Sequence, residues 1–409
     1  MKKFSLYFMI FALAGLWTAC DDDDDESPSD TSDPNAALKS AIVENYADIV
    51  YQNYEDALTS AQTLDAAITE FINNPTEDNL DDAKDAWLEA REWYGQSEAF
   101  RFSEGPIDAE EGPEGLLNAW PLDENYIDYV LDENGDVVND GIINDLSTYP
   151  DLDGDLLESL NEVDGDANIS IGYHAVEFLL WGQDDTDPSL LTEGARPATD
   201  YDINSSATNQ GRRAQYLDIT MDLLLGHLQL MVDAWDPNMS GNYRSEFLGT
   251  AANTNLRNVL TGIGIFSKGE LAGERMFVAI NEVNQEQEHS CFSDNTHRDI
   301  FTNAQGIRNI YTGSYQTLAG TTIQGSSIQE LIGIVNSDLQ AEMDALSQAT
   351  IDECQVISDM APFDALLASE VVDGNTPIIT AVTSLQAQGD KIAEVADALG
   401  FTISVELPE

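Results

Sequence analysis

The sequence predicts an all-α fold, with two helical-bundle lobes packed into one unit. Apolar residues recur at steps of three and four along five separate stretches, the spacing that lines one face of a helix. No comparable series of alternating Val, Ile and Thr marks a sheet. At 409 residues the chain is longer than one hydrophobic core ordinarily serves, which points to two units.

The first stripe runs Leu38, Ala41, Ile42, Ile49, Val50, Ala57, Leu58, Ala61 and Leu64. The second, Leu80, Ala83, Trp87, Ala90 and Tyr94, alternates steps of three and four. The third is Leu217, Met221, Leu224, Leu228, Met231 and Trp235; the fourth is Ile328, Leu331, Val335, Leu339, Met343 and Leu346. The fifth follows Ile378, Val382, Leu385, Ile392 and Leu399. Antiparallel bundles bury such faces against one another. The expected division is an N-terminal bundle over 37–190 and a C-terminal bundle over 205–405, with the seam in the Pro-, Ser- and Thr-containing stretch Asp184 to Asn209.

Between helices lies a turn-rich zone from Asp132 to Asp166. Its Asp-rich runs at Asp132 and Asp151 invite a calcium-loop reading. That reading fails because the sixth position, which needs Gly for its turn, is Val137 or Leu156. These runs read as Asx-type turns.

With 76 Asp and Glu against 16 Lys and Arg, the net charge is -60. Nucleic acid is thereby disfavoured as a partner, because phosphate binding needs a surplus of cations, and so is an anionic lipid surface. Lys2 and Lys3 precede an apolar run from Phe4 to Leu16 and then Thr18-Ala19-Cys20, the layout of an export signal over residues 1–19. The small residues before Cys20 resemble a bacterial lipoprotein signal, in which that cysteine becomes the lipidated first residue. Trp17 takes the place usually held by the residue one before it, Leu16. An ordinary secretory signal with an incidental Cys20 is the alternative. Residues 20–36 carry eight acids and no Leu, Ile, Val or aromatic side chain, the composition of a solvated tether. An acidic stretch after such a cysteine resembles surface-export signals of Bacteroidetes-type lipoproteins, so the expected location is the outer membrane, facing the surface or the periplasm. Removing residues 1–19 deletes two lysines, giving 14 - 76 = -62; without the eight tether acids about -54 remains on the folded body. Such a field favours cations over anionic ligands.

The stretch from Ile171 to Asp184 carries the chemistry. On a helix His174 and Glu177 are i and i+3, so imidazole and carboxylate share a face. Phe178, Leu179, Leu180 and Trp181 make that helix otherwise apolar, and a His and a Glu in such surroundings need partners; a metal ion satisfies both, as does a mutual hydrogen bond.

Gly172-x-His174-x-x-Glu177 followed by Phe178-Leu-Leu-Trp-Gly182 resembles the signature of the imelysin family. Trp87 to Tyr94 running into Ser97-Glu98-Ala-Phe100-Arg101 and Gly105-Pro-Ile-Asp108 is similar to the family's first-domain helix and turn. Asn118 to Tyr129, Gly269 to Met276, and Glu286 to His297 follow in the family's order. The resemblance implies two helical bundles with the His174 motif near their interface, export, and a link to iron acquisition, with iron-uptake proteins as partners. It offers Glu98, Asp108, Asp123 and Glu274 as co-ligands or supporting groups. Arg101 and Arg275, notable in a chain so poor in cations, read as partners of buried carboxylates rather than as substrate contacts.

The family's name comes from a peptidase activity, in which Glu177 would be the base. A zinc peptidase helix needs two histidines one turn apart, and neither H-E-x-x-H nor H-x-x-E-H occurs. The reading from sequence is therefore a metal-binding protein, with iron the expected ion and zinc or calcium the alternatives. A metallopeptidase and a cleft that holds a partner or haem remain open. In an exported chain Cys291 and Cys354 are expected to pair, leaving Cys20 for lipid; a zinc site from His289, Cys291 and His297 is the competing use. His227, between Leu224 and Leu228, reads as a packed or surface histidine.

Overall fold

The computed structural model describes residues 33–110, 112–132, 134–282, 285–360, 362–367 and 377–407. Cys20, the export signal and all of the tether before Asp33 lie outside these residues. Nearly all regular structure is helical. Helix α1 (Ala36–Asn73) buries Ile42, Ile49, Val50, Ala57, Leu58, Ala61 and Leu64 of its expected stripe, and continues it with Ile68 and Phe71. In α2 (Glu77–Ser97), Thr76 caps the first turn by accepting from Asn79 N, and Glu77 and Asp78 sit where the helix dipole favours acids. The short α3 (Tyr173–Trp181) precedes α4 (Gln210–Trp235), whose stripe from Leu217 to Trp235 is wholly buried. Then come α5 (Ala252–Ile265), α6 (Thr296–Thr312), α7 (Ile328–Val335), α8 (Ser337–Met360) and α9 (Pro377–Ala398).

Two details depart from simple periodicity. The fourth stripe is split, because α7 stops at Val335 and Asn336 turns the chain, its side chain then accepting from Leu339 N to open α8. Val335, at a stripe position, is 43% exposed as a result. Between α5 and the next helical turns, Phe266–Phe277 is wound as a π-helix. Its wider turn brings residues five apart together, and Arg275 Nε donates to Glu270 Oε1 at 3.0 Å.

The strands are two small antiparallel hairpins. β1 (Val130–Leu131) pairs with β2 (Val137–Val138), and β3 (Ser314–Gln316) with β4 (Thr322–Gln324). The first closes on an Asx turn, with Asp132 Oδ1 accepting from Asn134 N and Asp136 N at 2.9 Å. Asp153 caps the helix Gly154–Leu160 by accepting from Leu156 N. In each Asp-rich run the first or third carboxylate, Asp132 or Asp153, is thus spent on local backbone.

Helix α1 packs on α2, α4 and α5; α6 packs on α2 and α8; α9 closes over α5, α8 and the π-helical segment. One apolar core runs through all of them, from Ile42 to Ala396. The 184–209 segment is irregular apart from single turns at Pro188–Leu190 and Ala198–Asp200, and helices from both sides of it share that core. Helix α3 is held between α2 and α4, at the centre.

Candidate functional site

Helix α3 is bracketed by two glycines in backbone conformations that side chains resist, Gly172 (φ +93°) and Gly182 (φ +74°). A Cβ on Gly172 would lie 2.8 Å from the Leu117 carbonyl oxygen. This sharp entry lets a fully buried helix start against neighbouring backbone, and every residue from Tyr173 to Trp181 is buried. Trp87 on α2 fixes its height by donating from Nε1 to the Tyr173 carbonyl at 3.0 Å.

His174 Nδ1 lies 2.8 Å from Glu177 Oε2. The other carboxylate oxygen accepts from Ser293 N at 3.0 Å and Ser293 Oγ at 2.7 Å, so a loop more than a hundred residues away clamps it. His174 Nε2 is buried with no partner. Burial, reinforced by the Arg91 guanidinium, pulls His174 down to about 3. Burial pushes Glu177 up to about 8, against the opposing pull of Ser293 and Arg91. The pair is therefore close to neutral overall. When the carboxyl donates to Nδ1, Nε2 carries the ring hydrogen; when Glu177 is ionised, Nδ1–H donates and Nε2 presents a bare lone pair.

His289 stands edge-on against His174, with ring centroids 4.8 Å apart, and Trp120 covers it at 5.3 Å. Both its nitrogens are engaged: Nδ1 with Asp299 Oδ2 at 3.0 Å, and Nε2 with Asn118 Nδ2 at 3.2 Å. Because the amide nitrogen can only donate, Nε2 is the acceptor and Nδ1–H points to Asp299. From Asn118 a buried network extends outward. Its Oδ1 accepts from Arg91 Nη1 at 2.6 Å, and its Nδ2 donates to Glu98 Oε2 at 3.1 Å. Arg91 pairs with Asp299 at 3.2 Å, and Arg275 with Glu98 at 2.6 Å. Burial alone would raise both carboxyls. Arg91 and His289 instead hold Asp299 well below the usual range, and Arg275 and Arg101 hold Glu98 down to about 2. Burial, with Arg275 adding to it, pulls His289 well below the ordinary histidine range.

The candidates drawn from sequence scatter. Glu98 belongs to this network, engaged with Arg275 and Asn118. Asp108 accepts from Phe102 N at 2.7 Å and Arg101 Nε at 3.2 Å. Asp123 caps the turn Glu124–Ile127 by accepting from Asn125 N. Glu274 is exposed on the π-helical segment. Among the described residues no three His, Cys, Asp or Glu side chains are placed to hold a metal ion together. The residues present nevertheless fit one feature of a metal ligand, a buried imidazole with one nitrogen open and the other held by a carboxylate. Arg101 pairs with Glu114 at 2.9 Å as well as with Asp108, and Arg275 bridges Glu98 and Glu270. Arg101, Glu114, Asn118, Trp120 and Glu274 line a cleft of about 320 Å³ that reaches the network from outside.

The expected Cys291–Cys354 disulfide is absent: both are free thiols. Cys354 faces the apolar core from α8, whereas Cys291 sits on the loop before α6 among Glu177, Glu286 and Glu288, and burial pushes both thiols up. The His289-Cys291-His297 zinc alternative does not assemble either, since His289 is engaged with Asp299 and Asn118, and His297 Nδ1 lies 2.8 Å from the Asp294 carbonyl oxygen. His227 is buried beside Glu158, at 3.3 Å. The sequence did not reveal Arg91, Asn118, Ser293 and Asp299 as members of the site. The first three fall inside the family-like segments; Asp299, one turn into α6, gave no signal of its own.

The family model for Imelysin matches residues 50–392. Iron-regulated protein A of Synechococcus elongatus is 23% identical over 368 residues, covering 87% of this chain and 85% of that protein. A crystal structure described as an iron-regulated protein A precursor from Parabacteroides distasonis superposes with a TM-score of 0.67 at 20% identity, covering 89% of this chain and 96% of that one. An imelysin-like protein from Psychrobacter arcticum gives 0.61 at 13% identity, covering 90% and 98%. At these identities the two structures speak for a shared fold.

Proposed function

The chain belongs to the imelysin family, and from that premise we propose that it captures a metal ion at His174 as cargo, iron being the ion its relatives' names suggest. One observation carries the reading: His174 Nε2 is buried without a partner while Glu177, itself clamped by Ser293, holds the opposite ring nitrogen. A carboxylate behind a histidine fixes the tautomer that offers its free nitrogen to a metal, and raises its basicity. Glu177 then acts as the orienting group rather than as a second ligand, because both its oxygens are engaged. His289, with both nitrogens engaged, walls the site. No further protein donors converge there among the described residues, so the remaining coordination falls to groups that arrive with the ion. That suits capture and release better than a closed structural site. A zinc peptidase would need two more protein ligands beside Nε2, and the geometry favours cargo binding for that reason.

The same reading includes export and a lipid on Cys20 as anchor in the outer membrane, with iron-uptake proteins as recipients of the cargo. The test is titration of purified protein with ferrous and ferric ions, followed by elemental analysis, for the wild type, His174→Ala and Glu177→Gln. The reading expects one ion per chain in the wild type, none in His174→Ala and weakened binding in Glu177→Gln. Equal metal content in all three, with folding intact by circular dichroism, would overturn it.

A further inference from the structure

The loop that supplies Ser293 closes over acids that no cation answers. From 183 to 195, from 276 to 297 and from 361 to 376 the sequence carries no Lys or Arg. The fold brings these three segments together. Glu288 and Asp294 on the loop meet Asp184, just past α3, and Asp364, on the segment after α8. All four are buried, Glu288 at 2% exposure and the others at 6%. Neither oxygen of Glu288 makes a hydrogen bond, and the Thr296 hydroxyl, the neighbour that favours its charge, already accepts from Ser290 N at 2.9 Å. Asp184 Oδ1 accepts from Thr186 N at 3.0 Å and Asp364 Oδ1 from Ala365 N at 2.6 Å, donors that bring no net charge.

The remaining charged groups add to the imbalance. Glu193 and Glu177 also face Asp294, and Asp185 and Glu193 face Asp184. Arg298, the cation nearest in sequence, is committed to Glu92 through hydrogen bonds of 2.8 and 2.6 Å. His297 turns Nδ1 to the Asp294 backbone carbonyl at 2.8 Å, and burial pulls it down, so it brings no charge at neutral pH.

Four carboxyls so placed cannot all be ionised while the loop is closed, because burial penalises each charge and every ion raises the cost of the next. Asp294 is accordingly pushed up to about 8, and Glu288 well above the carboxylate range. Opening to water returns both to ordinary values of about 4. Closure therefore takes up protons. Each raised carboxyl favours the closed loop fully below its ordinary value and loses that contribution as the pH rises through the closed-state one.

Little regular structure opposes such an opening, since 288–295 is a run of turns without helix or strand. What the loop holds is Glu177, through Ser293 N and Oγ, and Gly194, whose N donates to the Phe292 carbonyl at 2.9 Å. We propose that this loop is a proton-operated latch on Glu177: protons on Glu288 and Asp294 keep it shut, and rising pH loosens the Ser293 clamp. That the latch governs an ion at His174 rests on the reading above; the latch itself belongs to the metal-free chain.

The experiment is hydrogen–deuterium exchange, read by mass spectrometry, on the metal-free full chain at about pH 5, 6, 7 and 8, with rates corrected for the intrinsic pH dependence of amide exchange. In the wild type the opening constant of peptides covering 288–297 should rise by up to about tenfold per pH unit for each proton released, while α4 keeps its protection. Glu288→Gln and Asp294→Asn mimic the protonated acids, so each should flatten that slope and keep the loop protected at the highest pH. A corrected rate that does not vary with pH, a slope left at its wild-type value in both variants, or protection lost equally in α4, which would make the event global unfolding, would each overturn the proposal. Because metal is absent throughout, the result is decided apart from whether iron binds at His174.

Discussion

Replacing Arg91 by Met tests whether the buried network is held by its cations. The guanidinium is 1% exposed, donates to Asn118 Oδ1 and pairs with Asp299. Methionine keeps most of the aliphatic volume against Trp87, Tyr94 and Tyr173, whose rings surround Arg91 within 6 Å. What is lost is therefore mainly charge and hydrogen bonding. Asp299, 2% exposed, keeps His289 and Ser290 as side-chain partners among the described residues. Breaking one side of a buried ion pair costs about 3–5 kcal/mol, because the surviving charge stays desolvated. The pH dependence has a definite sign. In the wild type Asp299 titrates below its unfolded value, so its contribution is present above that value and is lost as the pH falls through the folded one. Without Arg91 burial prevails, the carboxyl rises, and the variant loses stability toward neutral pH. The assay is urea unfolding at pH 7 followed by circular dichroism. The double variant Arg91→Met/Asp299→Asn should recover part of the loss, since the orphaned charge is gone. A single-variant loss below about 1 kcal/mol, or a double variant no more stable than the single, would refute the reasoning.

Three further outcomes follow from other parts of the molecule. Asp294 is pushed up to about 8, by burial first and then by neighbouring acids; a raised carboxyl stabilises fully below its unfolded value and loses that contribution as pH rises through the folded one. Asp294→Asn should therefore lose less melting temperature than the wild type as pH rises from about 4 to about 8, the remaining decline coming from raised carboxyls such as Glu177, as scanning calorimetry at stepped pH will read. Gly172→Ala forces a side chain into φ +93° and against the Leu117 carbonyl, a cost of about 1–3 kcal/mol measurable as a lowered urea midpoint. Ser293→Ala removes the 2.7 Å hydroxyl bond to Glu177 and should weaken metal affinity about 10- to 100-fold, with Ser293→Thr restoring most of it in the same titration.

Much of the helical frame was legible because a 3.6-residue period writes itself into local sequence: the stripes of α1, α2, α4 and α9 meet the core as spaced. The fourth stripe was less so, since Asn336 interrupts a pattern that its apolar neighbours continue. His174 and Glu177 were legible for the same local reason, being one turn apart on one helix. The rest of the site depends on tertiary contacts. Ser293 reaches Glu177 across 116 positions, and Arg91 reaches Asp299 across 208. The Arg275–Glu270 pair rests on a π-helical register that a 3.6-residue reading does not test. The proposed co-ligands show the converse: Asp123 is spent on a backbone cap and Asp108 on Arg101 and Phe102 N, uses that spacing alone does not distinguish from metal binding.

The measurement that bears most directly on the central claim is isothermal titration of the purified chain with iron, comparing the wild type with His174→Ala. Elemental analysis of the same samples counts the ions retained. The account predicts one ion bound per wild-type chain and none in the variant, with helical content unchanged. Retention of the ion at wild-type affinity in His174→Ala would contradict it.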